Sequence, residues 1–161
     1  DRRSSPIDPE LRSLITVRVS QLNGCEFCVD LNSETLLKRG ASVEKVAALS
    51  GWRDSDLFDA RERTALDYAE AMTLCTTTVT DAHIASLQAH FTDDAIVELT
   101  GLIAFQNLSS KFNAAVDVPP QGFCALPKMA THDDAAPRPR DAADGPATDR
   151  RKSVGTTEDA P

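Results

Sequence analysis

The sequence is poor in aromatic residues, in basic charge and in long apolar runs. Phe, Trp and Tyr make up 5% of the 161 residues, so a core must be built mainly from aliphatic side chains and alanine. Lys and Arg number 17 against 25 Asp and Glu, a net charge of -8, which argues against a generic nucleic-acid binder or a polybasic membrane-surface protein. No stretch approaches the roughly 18 apolar residues of a transmembrane helix, so a membrane partner is not expected.

The composition divides the chain near residue 125. Residues 129–161 contain no Leu, Ile, Phe, Trp or Tyr and are rich in Ala, Asp, Arg, Pro and Thr. Such a segment cannot bury enough apolar surface to offset the entropy lost on ordering. We therefore expect a folded domain over residues 1–125 and a disordered tail over 126–161.

Within the expected domain, apolar residues recur at helical spacing and no alternating strand pattern competes. Capping residues, glycines and prolines mark the helix ends. The pattern predicts helices from Pro9 to Gln21, from Glu26 to Arg39, from Val43 to Leu49, from Asp59 through Met72, from Thr80 through Leu87, and over 93–116 after Thr92. The expected fold is an all-α bundle. The last helix is apolar on more than one face, which is typical of a buried helix or a subunit interface.

Cys25 and Cys28 form a Cys-x-x-Cys pair in the segment NGCEFCVD. A zinc site is disfavoured because no second Cys-x-x-Cys or closely spaced His pair follows. A structural disulfide would close a very short loop and so add little stability. A redox dithiol is favoured, because the pair follows the Asn23-Gly24 turn and opens a helix, where exposed N–H groups and the helix dipole favour a thiolate.

The block QLNGCEFCVD, followed in order by WR, RER.AL.YAEA and N..SKFN, resembles the carboxymuconolactone decarboxylase / AhpD-like alkylhydroperoxidase family. The similarity extends from Leu11 to Phe123. The resemblance implies an AhpD-like helical bundle whose subunits pack as a trimer or hexamer. It also implies peroxide reduction by the Cys-x-x-Cys pair, without a cofactor. The decarboxylase branch of the family lacks that pair.

The resemblance assigns a role to each cysteine. Cys28 would attack a peroxide and become a sulfenic acid, and Cys25 would condense with it to a disulfide that an external dithiol then reduces. Two positions depart from the family pattern: Asn32 stands where the family has a His, and Ser13 where it often has a Glu. In the family those groups relay protons, and neither an amide nor a serine hydroxyl is an effective base. We therefore expect weakened peroxidase activity.

Two alternatives remain open. The first is an AhpD-like redox sensor or thiol–disulfide protein without peroxidase turnover, and the second is a carboxymuconolactone decarboxylase-like enzyme. The redox interpretation predicts a cytoplasmic protein. Polar residues on the last helix could face solvent or an interface, or Asn107 or Asn113 could point toward the cysteines. Arg18 is expected to form a surface salt bridge.

Overall fold

The computed structural model describes residues 5–125, so the expectation of a disordered tail over 126–161 lies outside the described residues. All regular structure in the described range is helical, as predicted. The six α-helices and one 3₁₀ helix are α1 (Pro9–Leu22), α2 (Glu26–Lys38), α3 (Val43–Ala48), the 3₁₀ helix (Leu49–Asp54), α4 (Ala60–Thr73), α5 (Asp81–Gln88) and α6 (Asp93–Ala115).

Side-chain caps explain why most helices begin where the sequence predicts. The Asp8 carboxylate accepts a hydrogen bond from the backbone N–H of Leu11 at 2.8 Å and so caps α1. Asp59 and Glu62 form the expected reciprocal capping box at the start of α4. Such caps satisfy N–H groups that have no partner within the helix.

The central helix of the bundle is α1, which packs against α2, α4 and α6. Its apolar side chains are almost fully buried in the hydrophobic core of the described residues. They are Leu11, Leu14, Ile15, Val17 and Val19. The chain then reverses through Asn23 and Gly24, and Gly24 takes the left-handed backbone conformation (φ 62°) that glycine adopts without steric cost. This turn places the start of α2 beside the end of α1.

A buried carboxylate joins α1, α4 and the 3₁₀ helix. Glu70 accepts hydrogen bonds from Arg18 Nε at 2.8 Å and Trp52 Nε1 at 2.8 Å, and it also pairs with Arg53. Burial by itself would raise the pKa of Glu70, but the hydrogen bonds from Trp52 and Arg53 and the charge of Arg18 lower it overall. The expected ion pair of Arg18 exists, but it is largely buried rather than on the surface, with the side chains of Arg18 and Glu70 12% and 8% exposed.

The 3₁₀ helix was not predicted, because Gly51 indicated a break in the chain. Gly51 does depart from helical geometry, with φ -112° and ψ 33°, yet the flanking turns continue. After the kink, the side chains of Trp52 and Arg53 both reach Glu70 on α4. The 3₁₀ turn is therefore stabilised by a tertiary contact that the local sequence does not reveal.

We expect Glu70→Gln to lower the free energy of unfolding by about 3 kcal/mol at neutral pH, because it leaves the guanidinium of Arg18, whose side chain is only 12% exposed, without its charge partner. The pKa of Glu70 is lowered in the folded state, so its stabilisation is present above the ordinary carboxylate pKa and is lost as pH falls through the lowered value. Urea unfolding at neutral and acidic pH should show that the difference in free energy of unfolding between the wild-type protein and Glu70→Gln becomes smaller in acid.

Asp67→Asn is the matched control. Asp67 pairs with the same Arg53, but its side chain is 49% exposed, so its loss should cost less than about 1 kcal/mol. Equal effects of the two substitutions would contradict a special role for the buried carboxylate.

Candidate functional site

Cys25 and Cys28 lie at the N-terminus of α2 and are joined as a disulfide, with their Cα atoms 5.2 Å apart. Cys25 is the N-cap residue, and its sulfur accepts a hydrogen bond from the backbone N–H of Cys28 at 3.2 Å. The backbone N–H of Cys25 in turn donates to the Ser20 carbonyl of α1 at 3.1 Å. Both sulfurs therefore sit where unpaired N–H groups and the helix dipole favour negative charge.

Both cysteines are nearly inaccessible in the single chain. Cys25 is 2% exposed and Cys28 is 3% exposed. The other two cysteines differ, since Cys75 is an exposed free thiol and Cys124 a half-buried one. A reactant that attacks either sulfur of the pair therefore needs a movement of the groups that cover it.

One side chain from α6 contacts the pair directly. Asn113 Nδ2 donates a hydrogen bond to Cys28 Sγ at 3.4 Å. Asn107, the other candidate, instead binds Asn23 at 2.8 Å and Thr73 at 3.0 Å, so it holds the turn before Cys25. A neutral amide donor on Cys28 stabilises a thiolate there without adding a proton acceptor.

Asn32 lies at the edge of a buried polar network. Its amide donates to Ser20 Oγ at 3.2 Å, and Gln106 Nε2 donates to the same oxygen at 3.0 Å and to Ser110 Oγ at 2.9 Å. Ser20 completes its bonding by donating to the Thr16 carbonyl at 2.6 Å. Every group in this network is uncharged, so none of them is a strong base at neutral pH.

Ser20 and Gln106 were not among the site residues predicted from the sequence. Both are buried, at 0% and 6% exposure. The sequence did contain a sign of this polar network, because Gln106 and Ser110 are four residues apart on a mainly apolar helix and so share one face.

Ser13 lies away from the cysteines. Its hydroxyl accepts a hydrogen bond from Arg39 Nη1 at 2.7 Å, at the C-terminal end of α2. Because α2 has 13 residues, its two ends are about 20 Å apart. The structure thus brings Cys25 and Cys28 together, and Asn32 lies near them through its hydrogen bond to Ser20. It places Ser13 at the opposite end of the hairpin that α1 and α2 form.

The carboxylates near the pair in sequence are otherwise engaged or exposed. Glu26 is exposed at the first turn of α2, and Glu34 pairs with Lys38 at 3.0 Å. The Asp30 carboxylate faces the segment after α6 and accepts three backbone N–H groups from it. Partial burial would raise the pKa of Asp30, but the backbone hydrogen bonds lower it overall.

Between residues 5 and 125, no three or more His, Cys, Asp or Glu side chains are grouped so that they could hold a metal ion. None of the helices in that range is long and apolar enough to span a membrane.

The chain is similar in sequence to known proteins. Residues 1–71 match the sequence model of the Carboxymuconolactone decarboxylase family. The uncharacterized protein YnjA of Escherichia coli K12 is 48% identical over 128 residues, which cover 80% of this chain and 70% of YnjA. The chain therefore belongs to the carboxymuconolactone decarboxylase family.

Solved structures share the fold. A protein of unknown function from Agrobacterium tumefaciens, with a suggested role in antioxidant defence as AhpD, is 30% identical with a TM-score of 0.69, covering 73% of this chain and 82% of that one. The debrominase Bmp8 is 26% identical with a TM-score of 0.66, covering 73% of this chain and 63% of Bmp8. The family and these neighbours indicate an enzyme.

We expect Asn113→Ala to slow alkylation of Cys28 in the reduced protein by about tenfold or more, because a hydrogen bond to a charged group contributes roughly 1.5–3 kcal/mol. The measurement is the rate of iodoacetamide modification at Cys28, followed by mass spectrometry of the peptides. Asn113→Asp, which replaces the donor by a carboxylate of the same size, should slow the reaction further.

Lys111→Ala is the control, because Lys111 is exposed on the same helix and its removal leaves the Asn113 contact in place. An unchanged rate in Asn113→Ala would show that the amide does not support the Cys28 thiolate.

Proposed function

We propose that the protein is a thiol-dependent peroxidase of the alkylhydroperoxidase type that uses Cys28 and Cys25 as its redox couple. The observation that carries the proposal is the placement of both sulfurs at the N-terminus of α2, with Asn113 donating to Cys28. This environment favours the thiolate, which is the nucleophilic form of cysteine.

In the proposed reaction, the Cys28 thiolate attacks the terminal oxygen of a hydroperoxide and the O–O bond breaks. The alkoxide leaves and takes up a proton as the alcohol, and Cys28 becomes a sulfenic acid. The Cys25 thiol then attacks the Cys28 sulfur, which forms the disulfide and releases water. An external dithiol returns two electrons by attacking Cys25, so the cycle needs no cofactor.

Proton transfer is the part of this cycle for which the site provides no side-chain base. A side-chain base contributes typically about 10²- to 10⁴-fold in such reactions. Here Asn32 holds the Ser20 hydroxyl, and Ser13 lies at the far end of the hairpin. Peroxide turnover would therefore depend on the helix N-terminus, on Asn113 and on water as the proton carrier. A cytoplasmic location suits such a couple, because the disulfide must be reduced in each cycle.

The same uncharged network favours a second candidate, an AhpD-like redox sensor or thiol–disulfide protein without peroxide turnover. In that case the dithiol would cycle only with other thiols and disulfides. A decarboxylase-like reaction is disfavoured, because the polar groups grouped around the pair are neutral and offer no general base for an acidic substrate.

We also propose that the working protein is a homotrimer or hexamer. The outer face of α6 and its C-cap residue carry large apolar side chains that are each more than half exposed, namely Val97, Phe105, Leu108, Phe112 and Val116. Their spacing of three, four or eight residues places them on one side of the helix. A continuous exposed apolar stripe of this kind is typical of a protein–protein interface.

The function is tested by stopped-flow oxidation of the reduced protein with hydrogen peroxide and with an organic hydroperoxide. We expect oxidation faster than that of a free thiol, loss of this reaction in Cys28→Ser, and a gain of about tenfold or more in Asn32→His, which restores a titratable base.

Oxidation of the wild-type protein no faster than a free thiol would contradict the peroxidase proposal. If Asn32→His then restored a fast reaction, the dithiol protein without peroxide turnover would be the correct function. Both variants should be compared at equal thiol content after full reduction.

The assembly is tested by Leu108→Glu, which places a charge within the apolar stripe. Sedimentation or light scattering should show a shift from a trimer or hexamer to smaller species. Ser86→Glu, at an exposed position on α5, is the control and should keep the native mass. A wild-type protein that is already a single chain would overturn the proposed assembly.

A further inference from the structure

The chain reverses direction at the end of α6 and returns along α2. Asp117 adopts the left-handed conformation (φ 56°), and the N–H of Val118 donates to the Asn113 carbonyl at 3.0 Å, as in a Schellman helix end. The segment that follows, residues 117–125, is called the strap below. Its starting hydrogen bond is made by the same Asn113 whose side chain contacts Cys28.

A single carboxylate fastens the strap to α2. Asp30 Oδ2 accepts the N–H groups of Gln121 at 2.9 Å and Phe123 at 3.0 Å, and Oδ1 accepts that of Cys124 at 2.7 Å. The partners are more than 90 residues apart in sequence, so this is a tertiary lock and not a local turn. Hydrogen bonds to an ionised group are about twice as strong as neutral ones.

An aromatic contact adds to the lock. The Phe123 ring meets the Phe27 ring edge to face, with centroids 6.4 Å apart and an angle of 70° between planes. Phe27 lies between the two cysteines in sequence, on the first turn of α2. The strap is thus attached to two residues next to the redox pair, to Phe27 on α2 through Phe123 and to Asn113 on α6 through the backbone of Val118.

Access to the sulfurs requires movement, and the strap is a neighbouring segment with few buried side chains. The helices around the pair share the buried core, whereas positions 119–123 of the strap are all exposed. Segments with few buried apolar contacts open locally at a free energy well below that of global unfolding.

We propose that Asp30 is a positioning residue that holds the strap closed over the approach to Cys25 and Cys28, and that the closed strap selects small hydroperoxides and small thiol reactants over bulky ones. The proposal builds on the use of this pair as the reactive dithiol. It does not depend on peroxide turnover, so it can be tested separately.

The test compares N-ethylmaleimide with N-(1-pyrenyl)maleimide, two neutral reagents with the same chemistry and different size. The full chain carries Cys75→Ser and Cys124→Ser, so that only the reduced pair reacts; Cys124→Ser keeps the backbone N–H that binds Asp30. Any change in the thiolate fraction affects both reagents equally, so the ratio of the two rates reports access alone.

Asp30→Ala should raise the rate of the pyrenyl reagent relative to the ethyl reagent by about tenfold or more, because the three hydrogen bonds that hold the strap are lost together. Phe123→Ala, which leaves all charges in place, should raise the ratio in the same direction and covers the case in which Asp30→Ala does not fold. Glu34→Ala, which removes a carboxylate from the same helix, should leave the ratio unchanged.

An unchanged ratio in both Asp30→Ala and Phe123→Ala would overturn the proposal. An equal rise in Glu34→Ala would also overturn it, because the effect would then come from the charge of α2. Since no peroxide is used, a protein without peroxidase activity can still confirm the strap, and an active peroxidase can still refute it.

Discussion

The anchoring of the first turn of α2 to the end of α1 is the constraint on which the site depends. The Cys25 N–H donates to the Ser20 carbonyl, and the Gly24 N–H donates to the Gln21 carbonyl, both at 3.1 Å. These bonds fix the position of the N-cap sulfur relative to α1. Because α1 also packs against α6, the same anchoring decides which α6 side chain meets Cys28. Thiolate stabilisation is thus a consequence of how the hairpin sits in the bundle.

The helix α6 serves two purposes on opposite faces. Its inner face places Gln106, Ser110 and Asn113 against α1 and α2. Its outer face carries the apolar stripe that includes Phe105 and Phe112. Because the inner face also carries buried apolar residues such as Leu99 and Ile103, both faces are apolar and the helix shows little net amphipathicity in sequence. Assembly along the stripe would hold the end of α6, and with it Asn113, in a fixed position.

The sequence predicts the elements better than the contacts between them. Caps such as Asp8 and Asp59 specify helix starts through local hydrogen bonds, so they can be recognised without tertiary information. The cysteine pair and its position at a helix start were also predictable. Which of Asn107 and Asn113 contacts the cysteines could not be predicted, because periodicity defines the faces of α6 but not which neighbour each face meets. The placement of Ser13 beside Arg39 likewise depends on how far α1 and α2 overlap in the hairpin.

The charge of Asp30 links the strap to the chemistry of the pair. A carboxylate two residues from Cys28 would oppose a thiolate if its charge were directed at the sulfurs. In the structure its two oxygens accept three N–H groups from the strap, so that charge is compensated by donors on the side away from the bundle core. The three hydrogen bonds that would hold the strap over the approach to the sulfurs in our proposal therefore also reduce the electrostatic opposition to a Cys28 thiolate. With Asn32 providing no base, a site of this kind relies on fixed dipoles, and every contact that orients or screens them contributes to its reactivity.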